Sequence, residues 1–266
     1  MASQGFIIDF SHACIVVTGG NRGIGLEISK AIAKAGGKVA IVYNSSPDAS
    51  EVADKIEREF RVKAKAYKCD VADSDLVSQT FLKIDKELGP ITGLVANAGI
   101  TIQKPAMEMT TQDFNNIFNV NVLGVFNTAR AAAKLWTDRK YKEGSIVINS
   151  SMSARIYNRK GAHEPITQAR YPFNFPVFYN ASKAAVSNLC KGLAAEWAPH
   201  NIRVNAIAPG YVDTGIVEVP ENVRQYINDN VPVGRFAKPA EITGQTVLLL
   251  SNYASYMTGG EYLIDG

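Results

Sequence analysis

Cysteine and histidine are both scarce in this sequence. The chain of 266 residues has three of each. Its cysteines, Cys14, Cys69 and Cys190, are far apart, with no C-x-x-C pair and no neighbouring histidine cluster. This pattern argues against a disulfide-stabilised fold and predicts no metal site. It favours a reducing, intracellular environment.

The sequence also lacks a large excess of charge of one sign and a long hydrophobic run. Lysine and arginine number 28 against 25 aspartate and glutamate, a net charge of +3, which argues against a nucleic-acid binder. No stretch approaches the roughly 18 apolar residues of a membrane span, and Met1 to Phe10 has no positively charged start typical of a secretion signal. We therefore expect a cytoplasmic protein with neither nucleic acid nor membrane as a partner.

Strand and helix patterns alternate along the whole chain. An apolar run at Ala13 to Val17 is followed by a glycine turn and then by apolar residues at helical spacing. Repetition of this unit predicts a single doubly wound α/β domain over residues 1–266, with seven mainly parallel strands and helices on both faces. The other strands are predicted at Val39 to Tyr43, Ala64 to Cys69, Gly93 to Ala96, Ser145 to Asn149, Arg203 to Ala208 and Glu261 to Ile264.

Two long helices are predicted, at about Thr111 to Thr137 and about Tyr179 to Ala198. The first is apolar nearly all round, so we expect it to be buried on every side, either by a second subunit or by loops of its own chain. Between the two helices, residues 155–178 are rich in proline and aromatic residues and predict a loop insert. The loop either lines a pocket or packs its aromatic rings onto its own domain.

The turn after the first strand has the spacing T-G-x-x-x-G-x-G, from Thr18 to Gly25. Glycine allows a strand to turn tightly into a helix whose N-terminal N–H groups can bind a pyrophosphate. Because the turn follows the first strand of a βαβ series, it predicts a dinucleotide site. The residues expected to bind the cofactor here are Gly19, Asn21, Arg22, Gly23, Ile24 and Gly25.

The second strand indicates which dinucleotide is bound. NAD sites usually have an aspartate or glutamate about 20 residues past the glycine turn. Here that region reads Val42 to Ser46 and has no acid. The Arg22 guanidinium can instead hold a 2′-phosphate, with Asn44, Ser45 and Ser46 as neutral donors, so we predict NADP(H).

Further cofactor contacts are expected at the ends of other strands. Asp70, with Val71 beside it, follows the third strand and either accepts from the adenine amino group or caps the helix that begins near Asp73. Two more strand ends are expected to bring backbone close to the cofactor. They are Asn97, Ala98 and Gly99 after the fourth strand, and Pro209 and Gly210 after the sixth.

A Y-x-x-x-K pair, Tyr179 and Lys183, places both side chains on one helix face. The Lys183 ammonium, together with a positive nicotinamide, would favour the phenolate, so that Tyr179 can exchange protons at physiological pH. Ser151 ends the fifth strand and can donate to a substrate oxygen, with Ser150 as its competitor. Asn121, a polar residue in an apolar helix, either contacts a functional water or lysine or marks a kink.

With these motifs in this order, the sequence resembles the classical short-chain dehydrogenases/reductases, which have a Rossmann fold, over almost its whole length. The resemblance implies a catalytic tetrad of Asn121, Ser151, Tyr179 and Lys183, and so favours Ser151 over Ser150. It further implies that Lys183 binds the nicotinamide ribose and that Asn121 anchors a water linking Lys183 to solvent. The positions that match the family's nicotinamide contacts are Asn97, Val212 and Thr214.

Within that family, four strings are similar to fungal NADP-dependent mannitol 2-dehydrogenases: Val17 to Leu26, Asn149 to Ser153, Gly192 to Trp197 and Tyr256 to Tyr262. This similarity implies a cytosolic homotetramer that interconverts a sugar alcohol and a ketose. The alternatives are an NADPH-dependent carbonyl, sorbose or xylulose reductase and, from another class, a non-catalytic NADP-binding regulatory protein. Family members usually end later than Gly266, which implies a further C-terminal segment near the site.

The substrate contacts are the least determined part of the site. Ser151, Ser153, Tyr179, Tyr211 and Asn149 are candidates near the strand ends. The stretch from Ser151 to Tyr179 is longer than is usual in the family, so it leaves the substrate open. Polar loop residues would favour a sugar, whereas inward-facing aromatic rings would favour apolar ketones. The polar loop candidates are Asn158, His163, Glu164 and Gln168.

Overall fold

Seven strands form one sheet in the computed structural model, which describes residues 6–156, 176–215 and 219–266. The strands are β1 (Cys14–Thr18), β2 (Lys38–Tyr43), β3 (Ala64–Lys68), β4 (Gly93–Ala96), β5 (Ser145–Asn149), β6 (Arg203–Pro209) and β7 (Glu261–Ile264). Their order is β3-β2-β1-β4-β5-β6-β7, and every neighbouring pair is parallel. The doubly wound fold is confirmed, with boundaries that differ from the predicted ones by one residue in four strands.

Helices cover both faces of this sheet, which explains why β1 and β5 are buried along their whole length. The helices are α1 (Gly23–Lys34), α2 (Ala49–Phe60), α3 (Ser74–Glu87), α4 (Thr111–Phe118), α5 (Gly124–Asp138), α6 (Val177–Trp197), α7 (Glu221–Asn230) and α8 (Thr243–Leu250). One apolar core lies under α1, α2 and α8, and the other lies under α3, α5 and α6. None of the helices in the described ranges is long and apolar enough to cross a membrane.

The strand order reverses between β1 and β4, and this reversal positions the site. The chain runs outward from β1 to β3 and then crosses to β4 on the other side of β1. In open α/β sheets, ligands bind at such a point, outside the carboxyl ends of the strands. The ends of β1, β4 and β5 lie side by side at this edge.

The single helix predicted at Thr111 to Thr137 is wrong in one respect, because a π-helical turn at Asn119–Leu123 separates α4 from α5. The turn allows Asn121, which is fully buried, to satisfy its amide. Its Oδ1 accepts from the Ile100 N–H at 2.8 Å, and its Nδ2 donates to the Ile100 carbonyl and to the Ser182 hydroxyl at 2.9 and 3.0 Å. The π-helical turn is the helix irregularity that the kink alternative expected, and a contact of Asn121 with a functional water or lysine stays a prediction.

The helix predicted to begin at Tyr179 begins two residues earlier, at Val177. Val177 and Phe178 therefore belong to α6 rather than to the predicted loop at 155–178. The Phe178 ring packs edge-on against Phe114 of α4, with centroids 5.3 Å apart. The loop candidates Asn158, His163, Glu164 and Gln168 lie outside the described residues. Helices α7 and α8 were not among the predicted elements.

Candidate active site

A cleft of about 780 Å³ opens at the carboxyl edge of the sheet, where the strand order reverses. Most of the predicted cofactor residues line it: Gly19, Asn21, Arg22, Gly23, Ile24, Gly25, Asn44, Ser45, Ser46, Asp70, Val71, Asn97, Ala98, Gly99 and Thr214. It is also lined by residues that the motifs do not indicate: Val42, Tyr43, Pro47, Cys69, Ile100, Thr101 and Val120. All but Val120 lie in or directly beside predicted cofactor segments, and that proximity is the signal that could have found them.

The glycine turn leaves no room for side chains where it enters α1. Gly19 and Gly23 have φ angles of +64° and +53°, in the left-handed region that glycine tolerates. A Cβ on Gly25 would lie 2.2 Å from the Gly19 carbonyl oxygen and 2.5 Å from Asn97 Nδ2. This cradle of backbone at a helix N-terminus fits a pyrophosphate.

The part of the cleft beside β2 is open to solvent and has no acid. Arg22, Asn44 and Ser45 are exposed there, and Ser46 is partly buried. A guanidinium with neutral donors around it fits a 2′-phosphate, whereas a ribose-binding carboxylate would repel one. The residues present therefore fit NADP(H).

Asp70 lines the cleft and does not cap α3, so that alternative was wrong. Asp73 is the capping residue, and its carboxylate accepts from the N–H groups of Asp75 and Leu76 at 3.0 and 2.9 Å. The Asp70 carboxylate accepts from the Ala72 N–H at 3.0 Å. Asp70 remains a candidate acceptor for the adenine amino group.

Two asparagines tie the strand ends together beneath the glycine turn. Asn97 Nδ2 donates to the Thr18 carbonyl at 2.8 Å, and Asn149 Nδ2 donates to Asn97 Oδ1 at 2.7 Å. The Asn149 Nδ2 is thus directed toward the cofactor turn, and the role of Asn149 as a substrate contact stays a prediction. Its main-chain carbonyl accepts from Lys183 Nζ at 2.6 Å.

The four proposed tetrad residues come together next to the cleft, near Gly99, but none of them is among the residues that line it, so the cofactor contacts of Tyr179 and Lys183 stay predictions. The Ser151 hydroxyl lies close enough to the partly buried Tyr179 to lower the pKa of its phenol, and Lys183 Nζ lies 5.6 Å from the centroid of the Tyr179 ring. A Cβ on Gly99, in the cleft wall, would lie 3.7 Å from Lys183 Nζ and 3.4 Å from Asn121 Oδ1. Lys183 Nζ and Asn121 Oδ1 therefore both lie close to the cleft wall at Gly99.

Burial dominates the acid–base properties of this group. It lowers the pKa of Lys183 to about 8, because the ammonium is taken out of water. It raises the pKa of Tyr179, and the neighbouring Ser151 hydroxyl offsets this increase only in part. The pKa of Tyr179 is therefore shifted upward, whereas we expected Lys183 to shift it downward. Desolvation of the phenolate outweighs the other effects.

Of the predicted cofactor residues at and after the end of β6, Thr214 is the one that lines the cleft. Pro209, Gly210 and Val212 do not line the described cleft, so their contact with a cofactor stays a prediction. A Cβ on Gly210 would lie 2.7 Å from Asp265 Cα, so packing against the end of β7 requires this glycine. Val212 forms a β-bridge with Ala237.

Two of the predicted substrate contacts have neighbours of their own. The Tyr211 ring packs 5.8 Å from the Phe236 ring. Ser153 is buried, and its N–H donates to Ser151 Oγ at 3.1 Å.

Among the described residues, no three histidine, cysteine, aspartate or glutamate side chains form a group that could hold a metal ion.

Comparison with known proteins gives close matches over nearly the whole chain. Residues 19–266 match a family model described as enoyl-(acyl carrier protein) reductase. An NADP-dependent mannitol dehydrogenase of Alternaria alternata is 37% identical over 95% of this chain and 90% of its own length. A sorbose reductase of Candida albicans is 38% identical over 94% of this chain and 84% of its own length.

A solved structure also matches this chain in both fold and sequence. The crystal structure of a short-chain type dehydrogenase/reductase from Mycobacterium marinum superposes with a TM-score of 0.86 at 37% identity. The superposition covers 98% of this chain and 96% of that one. The chain described here therefore belongs to the short-chain dehydrogenase/reductase family of oxidoreductases.

Proposed function

We propose that this oxidoreductase uses NADP(H) to interconvert a ketose and its sugar alcohol. The observation that carries the proposal is that the Ser151 hydroxyl lies beside the Tyr179 phenol and near the buried Lys183, next to the Gly99 end of the cleft. A hydroxyl donor next to a phenol is suited to bind a carbonyl oxygen and to give it a proton. At the other end, Arg22 and the acid-free stretch after β2 favour the 2′-phosphate of NADP(H).

Each proposed catalytic residue has a distinct task. In reduction, the Ser151 hydroxyl donates a hydrogen bond to the substrate oxygen, and Tyr179 transfers its phenolic proton to that oxygen. Lys183 holds a proton near Tyr179 and binds the nicotinamide ribose. Asn121 anchors the water that links Lys183 to solvent. When bound, the nicotinamide supplies or accepts the hydride.

The direction of the reaction should depend on pH. Oxidation of the alcohol releases a proton through Tyr179, whereas reduction of the ketone consumes one. Alkaline conditions therefore favour oxidation, and conditions nearer neutrality favour reduction. The buried Lys183, whose pKa is lowered to about 8, titrates within the same range.

The substrate class is supported by the printed names of the relatives. One is a mannitol dehydrogenase and another of nearly equal identity is a sorbose reductase, so fructose and sorbose are the first ketoses to test. The names also support NADP(H). We further propose the cytoplasmic homotetramer that the family resemblance implies.

A spectrophotometric panel tests the function directly. NADPH and NADH oxidation is followed with fructose, sorbose, xylulose and an apolar cyclic ketone, and reduction of NADP⁺ is followed with mannitol and sorbitol. We expect turnover with at least one ketose and a strong preference for NADPH. A preference for the apolar ketone would instead identify a carbonyl reductase. NADPH binding with no turnover on any ketone would favour a regulatory protein.

A further inference from the structure

A chain of buried hydrogen bonds links the end of β5 to the start of β7. The hydroxyl oxygens of Ser150 and Ser187 lie 2.6 Å apart, and the Ser187 hydroxyl donates to the Glu261 carboxylate. Arg155 donates to the same carboxylate through Nε at 2.7 Å. Both serines are buried, and only 7% of the Glu261 side chain is exposed. One carboxylate therefore joins the turn after β5, helix α6 and strand β7.

The charge on Glu261 sets the direction of these hydrogen bonds. Each serine hydroxyl has one proton, and an ionised carboxylate can only accept. The Ser187 hydroxyl therefore donates its hydrogen bond to Glu261, and the Ser150 hydroxyl donates to Ser187. The Lys183 carbonyl, 3.2 Å from Ser150 Oγ, is the more distant alternative acceptor for Ser150. Hydrogen bonds that end on a charged group are stronger than neutral ones.

This network holds both ends of the turn that carries Ser151. Ser150 and Arg155 flank a short 3₁₀ turn at Met152–Ala154. Within the turn, the Arg155 N–H donates to the Met152 carbonyl at 2.9 Å. Because misplacing a reacting group by about 1 Å can cost about a hundredfold in rate, support at both ends matters for Ser151.

We propose that Glu261 is a positioning residue, which acts through Ser187 and Arg155 to hold the Ser150–Arg155 turn and to orient the Ser151 hydroxyl toward Tyr179. The proposal rests on the proposed function, in which Ser151 binds the substrate oxygen. Glu261 itself lies in β7 and acts on Ser151 through Ser187 and Arg155.

Substitutions at Ser187 separate positioning from folding. Ser187→Ala removes the link between Ser150 and Glu261, and alanine is a better helix former than serine, so α6 keeps its helix. Ser187→Thr keeps the hydroxyl and is the conservative rescue. Glu261→Gln keeps the shape of the side chain and removes its charge and the ion pair with Arg155.

We expect Ser187→Ala and Glu261→Gln each to lower kcat for ketose reduction about tenfold while KM for NADPH stays near that of the wild type. Ser187→Thr should retain most of the wild-type kcat. Asp138→Asn is the matched control, because it removes the exposed Lys134–Asp138 ion pair of 3.0 Å in α5, and it should leave kcat unchanged.

Hydrogen exchange, resolved to single residues, tests the support of the turn without any substrate. In Ser187→Ala, the N–H groups of Ser153 and Arg155 should exchange faster than in the wild type, while those of β2 keep their rates. Unchanged exchange at Ser153 and Arg155 would overturn the proposal. It would also fall if faster exchange came with an unchanged kcat, or if Ser187→Thr lost as much kcat as Ser187→Ala.

The same two measurements distinguish failure of this proposal from failure of the proposed function. A wild type that reduces no ketone in the panel refutes the proposed function and, with it, the positioning role. An active wild type whose Ser187→Ala and Glu261→Gln variants keep full kcat refutes the positioning role alone.

Discussion

The two ends of the cleft are built in different ways. At the glycine turn, the shape comes from backbone, and a Cβ on Gly25 would lie 2.2 Å from the Gly19 carbonyl oxygen. Next to the other end, the proposed catalytic group consists of buried polar side chains on separate elements, such as Ser151 after β5 and Lys183 in α6. The glycine turn depends on the absence of side chains, whereas the catalytic group depends on side chains that are removed from water.

This difference separates binding from reactivity. Backbone N–H groups at a helix N-terminus hold an anion at any pH in the working range. The partly buried Tyr179 and the buried Lys183 have pKa values that desolvation shifts in opposite directions, upward for Tyr179 and downward for Lys183. Substitutions at the turn should therefore change affinity for the cofactor, whereas substitutions around Tyr179 should change turnover.

Removing the Tyr179 hydroxyl should have the largest effect. Tyr179→Phe keeps the ring and loses only the proton donor, so kcat should fall by about 10³-fold, within the range for loss of general acid–base catalysis. The dissociation constant for NADPH, measured by fluorescence titration, should stay close to that of the wild type. Tyr256→Phe, at a fully exposed ring, is the control. Substantial turnover in Tyr179→Phe would contradict the assignment.

Filling the glycine cradle should instead act on the cofactor. In Gly25→Ala, the new Cβ meets the Gly19 carbonyl in the turn and the Asn97 amide at the end of β4, beneath it. We expect NADPH affinity to fall by about a hundredfold, the equivalent of roughly 2.7 kcal/mol of lost binding free energy. Titration calorimetry measures the change directly.

Gly244→Ala is the matched control for Gly25→Ala. A Cβ at Gly244, in α8, has no described heavy atom within 4 Å, so this variant should bind NADPH normally. If both variants bound NADPH as the wild type does, the turn would not hold the pyrophosphate.

Removing the charge of Arg22 should give a smaller and more selective effect. Arg22→Ala should weaken NADPH by about ten- to a hundredfold, since a charge-assisted hydrogen bond contributes roughly 1.5–3 kcal/mol. NADH lacks the extra phosphate, so its affinity should change little. Arg58→Ala, which removes an exposed cation from α2, should alter neither affinity. Equal losses for both cofactors would show that Arg22 does not recognise the 2′-phosphate.

The same contrast explains how much the sequence could predict. The glycine turn is a local pattern, and the residues expected to line the cleft from Gly19 to Gly99 do line it. The hydrogen bond of Asn149 to Asn97 could not be predicted, because Asn97 is 52 positions away and only the pairing of β4 with β5 brings them together. The π-helical turn at Asn119–Leu123 also depends on tertiary contacts, since its Asn121 bonds Ile100 and Ser182.

The network around Glu261 shows the same limit. Ser150, Ser187 and Glu261 lie in three segments of the chain, and no spacing in the sequence relates them. Likewise, the direction of the Tyr179 pKa follows from burial rather than from the Y-x-x-x-K spacing. Sequence spacing can place Lys183 near Tyr179, but it cannot say how far either group is removed from water.

The smallest expected effect is on the free energy of unfolding. It tests how much the burial of the Lys183 ammonium destabilises the folded chain. Its pKa is lowered to about 8 in the folded chain, against roughly 10.4 in an unfolded one. Between these values the unfolded chain binds more protons, so this residue makes stability rise with pH across that window. Below about pH 8 the full cost of burying the ammonium applies. Lys183→Met should therefore be inactive, yet more stable than the wild type at pH 7 by on the order of 1–3 kcal/mol.

Urea denaturation of the cofactor-free protein at pH 7, 8.5 and 10 measures this difference. Burial raises the pKa of the thiols of Cys14 and Cys190 to about 12, so these groups make stability fall as pH rises above their unfolded values. That trend is common to both proteins and cancels when they are compared. The advantage of Lys183→Met should shrink steadily toward pH 10, whereas Lys134→Met, at a side chain 74% exposed, should show no such trend. A constant difference between Lys183→Met and wild type, or a less stable variant at pH 7, would mean that the Asn149 carbonyl stabilises the ammonium enough to offset its burial.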